Sequence, residues 1–400
     1  MQYDEEWVMS RRNRYHGLAP LRNALHEAGD PDEQLRIIHV AGTNGKGSTV
    51  QFLSDILRSQ GYRTGTFTSP HLMNHRDRIR IDGEWIPHDV FCAYLERYAG
   101  LIEKYDLGMF EIDCLVAFAW FAKENVSYAV IEAGLGGRLD NTNVITKSEL
   151  SVIATIGKDH TQVLGDRIQQ IAFEKAGIIK ENGHAVIGTD NTHAQNVIRR
   201  HAFRRHAAVS MPKPVYPAGS GMFRYDGGLY RIASKAEYQI RNAALALAAA
   251  RLLGIDIHSA SVHEALAVST WPGRFEAVMN DPLTILDGAH NEEGVTALAR
   301  SLASLPLPRI IVFSALSDKP FLRMLAILQG CAEEIIVTTF RDERAADCSA
   351  YIQQGYPVLP DYREAIREAR CRAGISGTVI ITGSLHFISA VREFLTPSEE

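Results

Sequence analysis

The sequence predicts an α/β protein in which a larger, mostly parallel sheet domain is followed by a smaller α/β domain. Three observations support this prediction. Short apolar runs alternate with helical patterns through most of the chain, as expected for parallel strands covered by helices on both faces. The 400 residues exceed what one hydrophobic core usually accommodates. The segment Trp271–Arg274 interrupts the helical pattern before a second strand–helix series begins.

The strands of the first domain are predicted where apolar residues run without interruption. They are Ile37–Val40, Thr64–Thr68, Tyr128–Glu132, Ser151–Ile156 and Ala185–Gly188. The segments between them predict helices over Thr49–Gln60, Val90–Tyr105, Ile112–Lys123 and Ile168–Ile179. A hairpin is predicted over Phe223–Ile232 and an alanine-rich helix over Gln239–Leu253.

The second domain is predicted from a further alternation of strands and helices. Its strands are Leu283–Leu286, Arg309–Phe313, Glu334–Thr339 and Thr378–Thr382. This pattern is typical of a Rossmann-like sheet. We therefore expect a first domain at 1–268, a linker at 269–281 and the smaller domain at 282–400. Ligands of such sheets bind beyond the carboxyl ends of the strands.

Composition disfavours several classes of function. The net charge of −5 argues against a nucleic-acid-binding surface. The five cysteines never form Cys-x-x-Cys, which favours a reduced, cytoplasmic chain without a zinc site. The first residues are acidic and do not resemble a signal peptide. The longest apolar run, Cys114–Ala122, is shorter than the ~20 residues of a membrane-spanning helix.

The segment Gly42–Thr49 carries the strongest functional signal. It reads Gly-Thr-Asn-Gly-Lys-Gly-Ser-Thr between a predicted strand and a predicted helix. Such a turn directs backbone N–H groups and the positive end of a helix at one point, and Lys46 adds a cation for the β- and γ-phosphates of a nucleotide. The P-loop match is incomplete, because Val40 replaces a glycine and Gly47 replaces the hydroxyl residue after the lysine. A glycine-rich turn that only packs a helix on a sheet is the alternative.

Glu132 ends a strand that is predicted to lie next to the strand of the phosphate loop. A carboxylate in that position is expected to bind magnesium, and the alternative is a cap of the following turn. The glycines Gly134, Gly136 and Gly137 suggest a dinucleotide loop. That pattern fails because Leu139 stands where its last glycine is required, so hydride chemistry is not indicated.

The segment Thr68–Leu72 follows the second predicted strand. Ser69 could reach a metal there, and the loop after it could cover a substrate. His71 and His75 are spaced four apart, but the proline and asparagine around them predict a loop, so a zinc pair is not expected. By itself the segment is also typical of an ordinary turn.

Other residues are candidates by position alone. His160 follows a predicted strand, where a neutral imidazole could hold a second cation and a structural histidine is the alternative. Lys175 lies in a predicted helix, where a surface ion pair is the ordinary role of a lysine. Asp287 and His290 meet at a glycine turn after the first strand of the second domain, and Arg274 supplies a cation in the linker. These last residues could contact a nucleotide.

Seven motifs occur in order along the chain. They are Gly42–Ser48, Thr68–Leu72, Glu132–Asp140, Asp159-His160, Glu174–Ile178, Pro272–Phe275 and Asp287–Asn291. Together they closely resemble folylpolyglutamate synthase/dihydrofolate synthase, a branch of the muramyl-ligase superfamily, over about residues 11–390. The resemblance implies an ATP-dependent amide ligase. A carboxylate of a folate or of dihydropteroate would attack the γ-phosphate of ATP, and L-glutamate would then displace phosphate from the acyl phosphate.

The resemblance also implies roles for individual residues. It assigns the nucleotide to Gly42, Thr43, Asn44, Gly45, Lys46, Gly47, Ser48, Thr49, Asn242, Arg274, Asp287 and His290. It assigns one magnesium ion to Ser69 and Glu132, and a second cation, magnesium or a monovalent ion, to His160. It assigns the acceptor substrate to Pro70, His71, Arg138 and Asp140. The implied catalytic residues are Lys46, His160 and Lys175, the last of them as a carbamate.

The sequence departs from the family pattern at two places. Asn291 is followed by Glu292 where a proline is usual, and Phe110–Cys114 replaces the usual phenylalanine–glutamate–threonine-type start of a helix, where pterin contacts are expected. The segment Arg138–Asp140 is similar to that of bifunctional members, which favours both activities. We expect a monomer whose partners are ATP, L-glutamate and a folate or dihydropteroate, with no nucleic acid and no membrane.

Three alternatives remain at this point. A cell-wall ligase would share the ATP machinery, but it normally carries a further domain before the phosphate loop, which begins here after about forty residues. A P-loop GTPase would need the Asn-Lys-x-Asp motif, which the chain lacks. A kinase that phosphorylates a small acid and stops would be distinguished from a ligase by turnover that does not depend on glutamate.

Overall fold

The structure is a computed structural model that describes residues 3–12 and 14–396. These residues form two units. The first comprises the described residues up to Tyr216, together with Phe223–Ile232 and Arg241–Ser269. The second comprises Pro217–Met222, Ala233–Ile240 and the described residues from Thr270 onwards. The domain limits 1–268, 269–281 and 282–400 stay a prediction. Two short segments of the predicted first domain, Pro217–Met222 and Ala233–Ile240, belong to the second unit.

The first unit is built around a mostly parallel sheet. Its strands, numbered in chain order, are β1 (Ile37–Ala41), β2 (Thr64–Phe67), β3 (Ile79–Ile81), β4 (Glu84–Trp85), β5 (Tyr128–Glu132), β6 (Leu150–Ile153), β7 (His184–Ile187) and β8 (Ala208–Ser210). Within the described part of the chain the order is β4-β3-β2-β5-β1-β6-β7-β8. The pairs β2–β3 and β3–β4 are antiparallel, and β2, β5, β1, β6, β7 and β8 are parallel to one another. The strands β1, β5 and β6 are buried along their whole length, which explains their continuous apolar sequences.

Helices and a small sheet complete this part of the chain. The helices are α1 (Glu5–Met9), α2 (Ala19–Glu27), α3 (Lys46–Ser59), α4 (His88–Lys104), α5 (Met109–Lys123), α6 (Thr161–Leu164), α7 (Ile168–Ala176), α8 (Thr192–Arg204), α9 (Glu237–Leu252) and α10 (Ala260–Val268). The small sheet has the strands β9 (Val215–Gly219), β10 (Met222–Tyr225) and β11 (Gly228–Arg231). One hydrophobic cluster packs around α4 and α5, and another packs around α7 and α8. The register places Ile37, Ile131 and Ile153 of these clusters on one face of the large sheet. The side chains of Ile38, Val40 and Val152 lie on the opposite face and are also buried, so both faces are covered, as the sequence predicts.

The second unit contains another mostly parallel sheet. Its strands are β12 (Glu276–Asn280), β13 (Leu283–Asp287), β14 (Arg309–Phe313), β15 (Glu334–Thr339), β16 (Val358–Asp361) and β17 (Thr378–Thr382). For the residues that the structure describes, their order is β12-β13-β17-β14-β15-β16, with β12 antiparallel to β13. The helices are α11 (Glu292–Leu302), α12 (Phe321–Leu328), α13 (Cys348–Ile352), α14 (Tyr362–Ala373) and α15 (Leu385–Leu395). Two α/β sheets of this kind confirm the predicted fold class.

Across residues 3–12 and 14–396, no helix is both long enough and apolar enough to cross a membrane.

Candidate active site

The phosphate loop lies between β1 and α3. The helix begins at Lys46, three residues before the predicted start at Thr49, so Lys46, Gly47, Ser48 and Thr49 form its first turn. Gly45 precedes the helix with φ of +84°, a left-handed conformation that glycine adopts without strain. The N–H and Oγ1 of Thr49 both donate to the Gly45 carbonyl, at 2.9 and 2.7 Å. Because the first N–H groups of a helix have no partner within the helix, this end favours an anion.

The loop is fixed by the segment that follows β6. The N–H of Thr43 donates to the Thr155 carbonyl at 2.7 Å. The hydroxyl of Thr43 donates to the Gly157 carbonyl at 3.0 Å and accepts from the Gly157 N–H at 3.0 Å. The N–H of Asn44 donates to Thr155 Oγ1 at 3.2 Å. These bonds hold the loop in one conformation, which a site that must place a triphosphate requires.

Two glycines of the loop lie against other residues at distances that exclude a side chain. A Cβ atom on Gly42 would lie 2.8 Å from the Cβ of Ala154. A Cβ atom on Gly45 would lie 2.3 Å from Oδ1 of Asn242. The predicted nucleotide residue Asn242, on α9, is therefore placed directly against the loop.

Glu132 meets Lys46 at the carboxyl edge of the large sheet. The pairing of β1 with β5 sets Val40 opposite Glu132, so the carboxylate follows the register of the sheet. Its side chain is buried, and Oε1 lies 3.7 Å from Nζ of Lys46. The N–H of Ser69 donates to Oε2 at 3.3 Å. The structure thus brings together Lys46 and the two residues that were predicted to bind magnesium.

The residues at this edge fit a magnesium ion that also binds phosphate. Among residues 3–12 and 14–396 there is no group of three or more His, Cys, Asp or Glu side chains that could hold a metal. Magnesium bound to a triphosphate takes one or two carboxylates from the protein and further oxygens from phosphate and water. The buried Glu132 carboxylate and the adjacent Ser69 are oxygen donors of this kind.

His160 lies in the segment that follows β6. It precedes α6 in a left-handed conformation with φ of +48°. Its Nε2 is 3.9 Å from Oδ2 of Asp159, and its side chain is about half exposed. The second cation predicted at His160 stays a prediction.

Lys175 is buried, with only 4% of its surface exposed. Its Nζ donates to the Gly42 carbonyl at 2.8 Å, so it reaches the phosphate loop from α7. The ordinary expectation of a surface ion pair at this position is wrong, because the inner face of α7 packs against the sheet. The adjacent Glu174 pairs instead with the predicted substrate residue Arg138, at 2.9 Å.

Asp140 shapes the turn that follows Glu132. Its Oδ2 accepts from the N–H of Leu135 at 2.7 Å, and its Oδ1 accepts from the N–H and hydroxyl of Thr142 at 3.0 and 2.5 Å. Burial raises the pKa of this carboxyl, and the hydrogen bonds oppose the shift. The hydroxyl of Tyr15 donates to the Leu139 carbonyl at 2.7 Å. Tyr15 therefore contacts this turn from a distant part of the chain and was not predicted from the sequence.

His71 belongs to a group of polar side chains inside the first unit. Its Nδ1 lies 3.1 Å from Nη2 of Arg78, and Nε2 of His75 lies 2.8 Å from Oδ1 of Asp113. Burial lowers the pKa of His71 to about 4, and the neighbouring Arg78 and His75 act in the same direction. Arg78 was not predicted from the sequence, and Asp113 was predicted only as part of the segment Phe110–Cys114. The signal for Asp113 was a carboxylate within the apolar helix α5.

In the second unit, Asp287 accepts hydrogen bonds from three directions. Its Oδ2 accepts from the Tyr238 hydroxyl and from the N–H of Phe275 at 3.0 Å. Its Oδ1 accepts from the N–H of Ala289 at 2.9 Å. Burial raises the pKa of Asp287, against the effect of the tyrosine bond. Tyr238 was not singled out in the sequence, because it lies 49 residues away along the chain.

The other predicted nucleotide residues of this unit converge on one carbonyl. Nη1 of Arg274 donates to the Gly288 carbonyl at 3.1 Å, and Nδ1 of His290 lies 2.8 Å from the same oxygen. Asp287 precedes that glycine, so the three predicted residues lie around one turn.

A helix-terminal phosphate loop with its lysine beside a buried carboxylate, together with a second α/β sheet unit, defines an ATP-dependent ligase of the P-loop class. Residues 40–250 match the Mur ligase middle domain, and residues 273–385 match the Mur ligase, glutamate ligase domain. The chain therefore belongs to the Mur ligase family, in the branch of the folylpolyglutamate synthases and dihydrofolate synthases, as its motifs predict.

Individual relatives agree with this placement. The dihydrofolate synthase/folylpolyglutamate synthase of Bacillus subtilis is 37% identical over 95% of this chain and 95% of its own length. The folylpolyglutamate synthase of Mycobacterium tuberculosis, solved with ADP and AMPPCP, superposes with a TM-score of 0.90 at 30% identity, covering 99% of this chain and 98% of that one. The bifunctional enzyme of Yersinia pestis, solved with AMPPNP and Mn, gives 0.89 at 27% identity, covering 98% and 97%.

Proposed function

We propose that this protein is an ATP-dependent ligase that adds L-glutamate to folates, and also to dihydropteroate, through an acyl phosphate. The observation that carries the proposal is the group formed by the loop Gly42–Gly45, Lys46 and Glu132, with Lys46 Nζ 3.7 Å from the carboxylate. Relatives that resemble this chain over nearly its whole length are named for these reactions.

The chemistry requires two anions to meet. An oxygen of the acceptor carboxylate attacks the γ-phosphorus, and the bond from that phosphorus to the bridging oxygen breaks to release ADP. The glutamate amine then attacks the acyl carbon, loses a proton and displaces inorganic phosphate. The backbone N–H groups of the loop and the Lys46 ammonium lower the cost of bringing a carboxylate to a triphosphate, because they are fixed before the substrates arrive.

Metal binding is proposed for Ser69 and Glu132. A magnesium ion there would neutralise charge on the phosphates, and the manganese of the Yersinia structure supports a divalent ion in this family. His160 is proposed to hold a second cation, magnesium or monovalent. Lys175 is proposed to carry a carbamate. Its burial and its contact with the Gly42 carbonyl support a role next to the phosphates rather than at the surface.

Nucleotide contacts are also proposed for Asn242, Arg274, Asp287 and His290. The position of Asn242 against Gly45 supports the first of these. For Asp287, the three hydrogen bonds from its own unit favour a part in shaping the turn that carries Arg274 and His290.

Acceptor binding is proposed for Pro70, His71, Arg138 and Asp140. The Bacillus relative is named for both activities, which supports both in this chain. We further propose a monomer that works in the cytoplasm on small-molecule substrates. The five free cysteines agree with a reducing compartment.

The decisive experiment measures phosphate release with ATP and L-glutamate, with dihydropteroate in one series and tetrahydrofolate in another. Turnover is expected with both acceptors and only when glutamate is present. Turnover without glutamate would favour a kinase. If ATP is consumed with neither acceptor, the proposal fails. Turnover with only one of the two acceptors would show that the protein lacks activity on the other.

A further inference from the structure

Four polar side chains meet in the interior of the first unit, between the segment after β2 and helix α5. His75, Arg78 and Asp113 are buried, and the His71 ring lies 5.6 Å from the His75 ring. His71 Nδ1 is 3.1 Å from Arg78 Nη2, and Arg78 Nε is 3.7 Å from Asp113 Oδ2. His75 Nε2 completes the group at 2.8 Å from Asp113 Oδ1. We call these four residues the His71 network.

The direction of the hydrogen bonds in the His71 network follows from the chemistry of the groups. A guanidinium has donors only, so Nδ1 of His71 must accept from Arg78. The remaining proton of the neutral ring is then on Nε2, and His71 presents an N–H donor on the side away from Arg78. Asp113 supplies the negative charge that a buried arginine requires, and His75 donates to the other oxygen of that carboxylate.

The network retains polar atoms that a purely structural cluster would satisfy. His75 Nδ1, Arg78 Nε and Asp113 Oδ2 are buried without a hydrogen-bond partner in the described part of the chain. Such atoms are costly, and native proteins contain few of them. Arg78 Nε and Asp113 Oδ2 face each other at 3.7 Å as an ion pair, whereas His75 Nδ1 has no partner within the described residues. The network therefore keeps at least one unsatisfied buried nitrogen, which packing alone does not explain.

The network also lies near the reacting groups. His71 follows Ser69 by two residues, so their Cα atoms are at most ~8 Å apart, and the N–H of Ser69 contacts Glu132. The Arg78 guanidinium lies 5.8 Å from the centre of the Phe110 ring, which itself packs on Phe67 at 5.4 Å. A histidine N–H donor held by an arginine that itself lies over an aromatic ring suits a flat heteroaromatic acid that offers a ring nitrogen or carbonyl oxygen.

We propose that His71 is a specificity-determining residue that donates a hydrogen bond from Nε2 to the heteroaromatic part of the acceptor substrate, and that Arg78 and Asp113 are positioning residues that fix the proton there. This inference rests on the proposed function for the identity of the acceptor. The ring nitrogen of His71 that carries the proton can be determined without turnover. This inference and the proposed function can therefore fail separately.

The first test is spectroscopic. Two-bond proton–nitrogen correlation spectra of the full chain, labelled with ¹⁵N-histidine, report which ring nitrogen carries the proton, and the signals missing from the His71→Gln protein identify His71. We expect protonated Nε2 and unprotonated Nδ1 in the unsubstituted protein. In Arg78→Met and Asp113→Asn we expect a mixture of tautomers. A proton on Nδ1 in the unsubstituted protein overturns the proposal, as does an unchanged spectrum in both variants.

The second test is kinetic. Glutamine places its amide nitrogen near the position of Nε2, whereas asparagine places it near Nδ1. The KM for the acceptor should therefore rise about tenfold or more in His71→Asn and clearly less in His71→Gln, with the KM for ATP changed less than threefold in both. The exposed His193 on α8, changed to asparagine, is the matched control. Equal effects of the two substitutions, or a rise confined to the KM for ATP, would overturn the proposal.

Discussion

Each unit ends a buried strand of its sheet with a carboxylate, and the two carboxylates have different surroundings. Glu132, the last residue of β5, faces the Lys46 ammonium at 3.7 Å and the N–H of Ser69 at 3.3 Å. Asp287, the last residue of β13, accepts hydrogen bonds from two backbone N–H groups and from the Tyr238 hydroxyl. A carboxylate beside a lysine ammonium is suited to bind metal and phosphate, whereas one held by neutral donors is suited to fix a turn. We therefore propose that the same position in the two sheets binds metal and phosphate in one, and in the other holds the turn that carries the nucleotide contacts.

The largest effect is expected when Lys46, whose ammonium lies beside Glu132, is removed. Lys46→Ala should lower ATP turnover by a hundredfold or more while leaving the fold unchanged, because the triphosphate loses its only proposed lysine contact in the loop. Phosphate release measures the effect, and circular dichroism checks the fold. The exposed Lys147, changed to alanine, is the matched control. If turnover survives in Lys46→Ala, the lysine beside Glu132 is not needed for the reaction, and the proposed difference between Glu132 and Asp287 fails.

Lys175 extends the charged surroundings of the first site. Carbamylation would convert its ammonium into an anion, so ¹³C-labelled bicarbonate should give a carbamate signal that is lost in Lys175→Ala. Turnover should fall about tenfold to a hundredfold in that variant and recover in part with short carboxylic acids. An unmodified lysine in the presence of bicarbonate would contradict the assignment.

The two carboxylates are compared directly in Glu132→Gln and Asp287→Asn. The first should lower turnover about tenfold or more and raise the magnesium concentration that gives half-maximal rate, with little change in melting temperature. The second should cost about 1–3 kcal/mol of stability, because the amide NH₂ of asparagine replaces one acceptor oxygen. Thermal unfolding and magnesium titration separate the two outcomes. The comparison fails if both variants change the magnesium dependence alike.

The pH dependence of stability sharpens the same comparison. Burial raises the pKa of Asp287 in the folded protein. Folding therefore favours the protonated carboxyl, and this contribution is present at acid pH and is lost as the pH rises through the folded pKa. The stability deficit of Asp287→Asn should accordingly be larger near pH 4 than near pH 7. A deficit that grows with pH would show that the carboxylate, not the acid, is the favoured form.

The smallest effect is expected from Tyr238→Phe. It removes the hydroxyl that donates to Asp287 and leaves the ring packed, so we expect a loss of about 1 kcal/mol and a rise of a fewfold in the KM for ATP. Urea unfolding and initial rates measure these changes. Tyr230→Phe removes a buried hydroxyl that contacts the Ile257 carbonyl and is the matched control for stability alone. A change in kcat without a change in the KM for ATP would contradict a role of Tyr238 in nucleotide binding through Asp287.

Local sequence patterns predicted much of the fold. The limits of β5, β14, β15 and β17 agree with the predicted strands, because their apolar runs are bounded by polar residues and turns. The start of α3 was predicted three residues late, since the loop glycines hid the first turn of the helix.

The parts of the site that were missed depend on contacts between distant residues. Helical periodicity could not show that Lys175 reaches the Gly42 carbonyl, which lies 133 residues away. The bond between Tyr238 and Asp287 and the bond between His75 and Asp113 also join different elements. The carboxylate of Asp113 within the apolar run of α5 indicated a buried partner, but it did not show that the partner is His75.

The alignment of Val40 with Glu132 has a consequence for how much change the chain can tolerate. Side chains alternate between the two faces of a sheet, so sliding β5 by a single position would turn the Glu132 side chain to the opposite face. An insertion or deletion before Tyr128 that slid β5 in this way would therefore abolish the reaction even where the protein still folds.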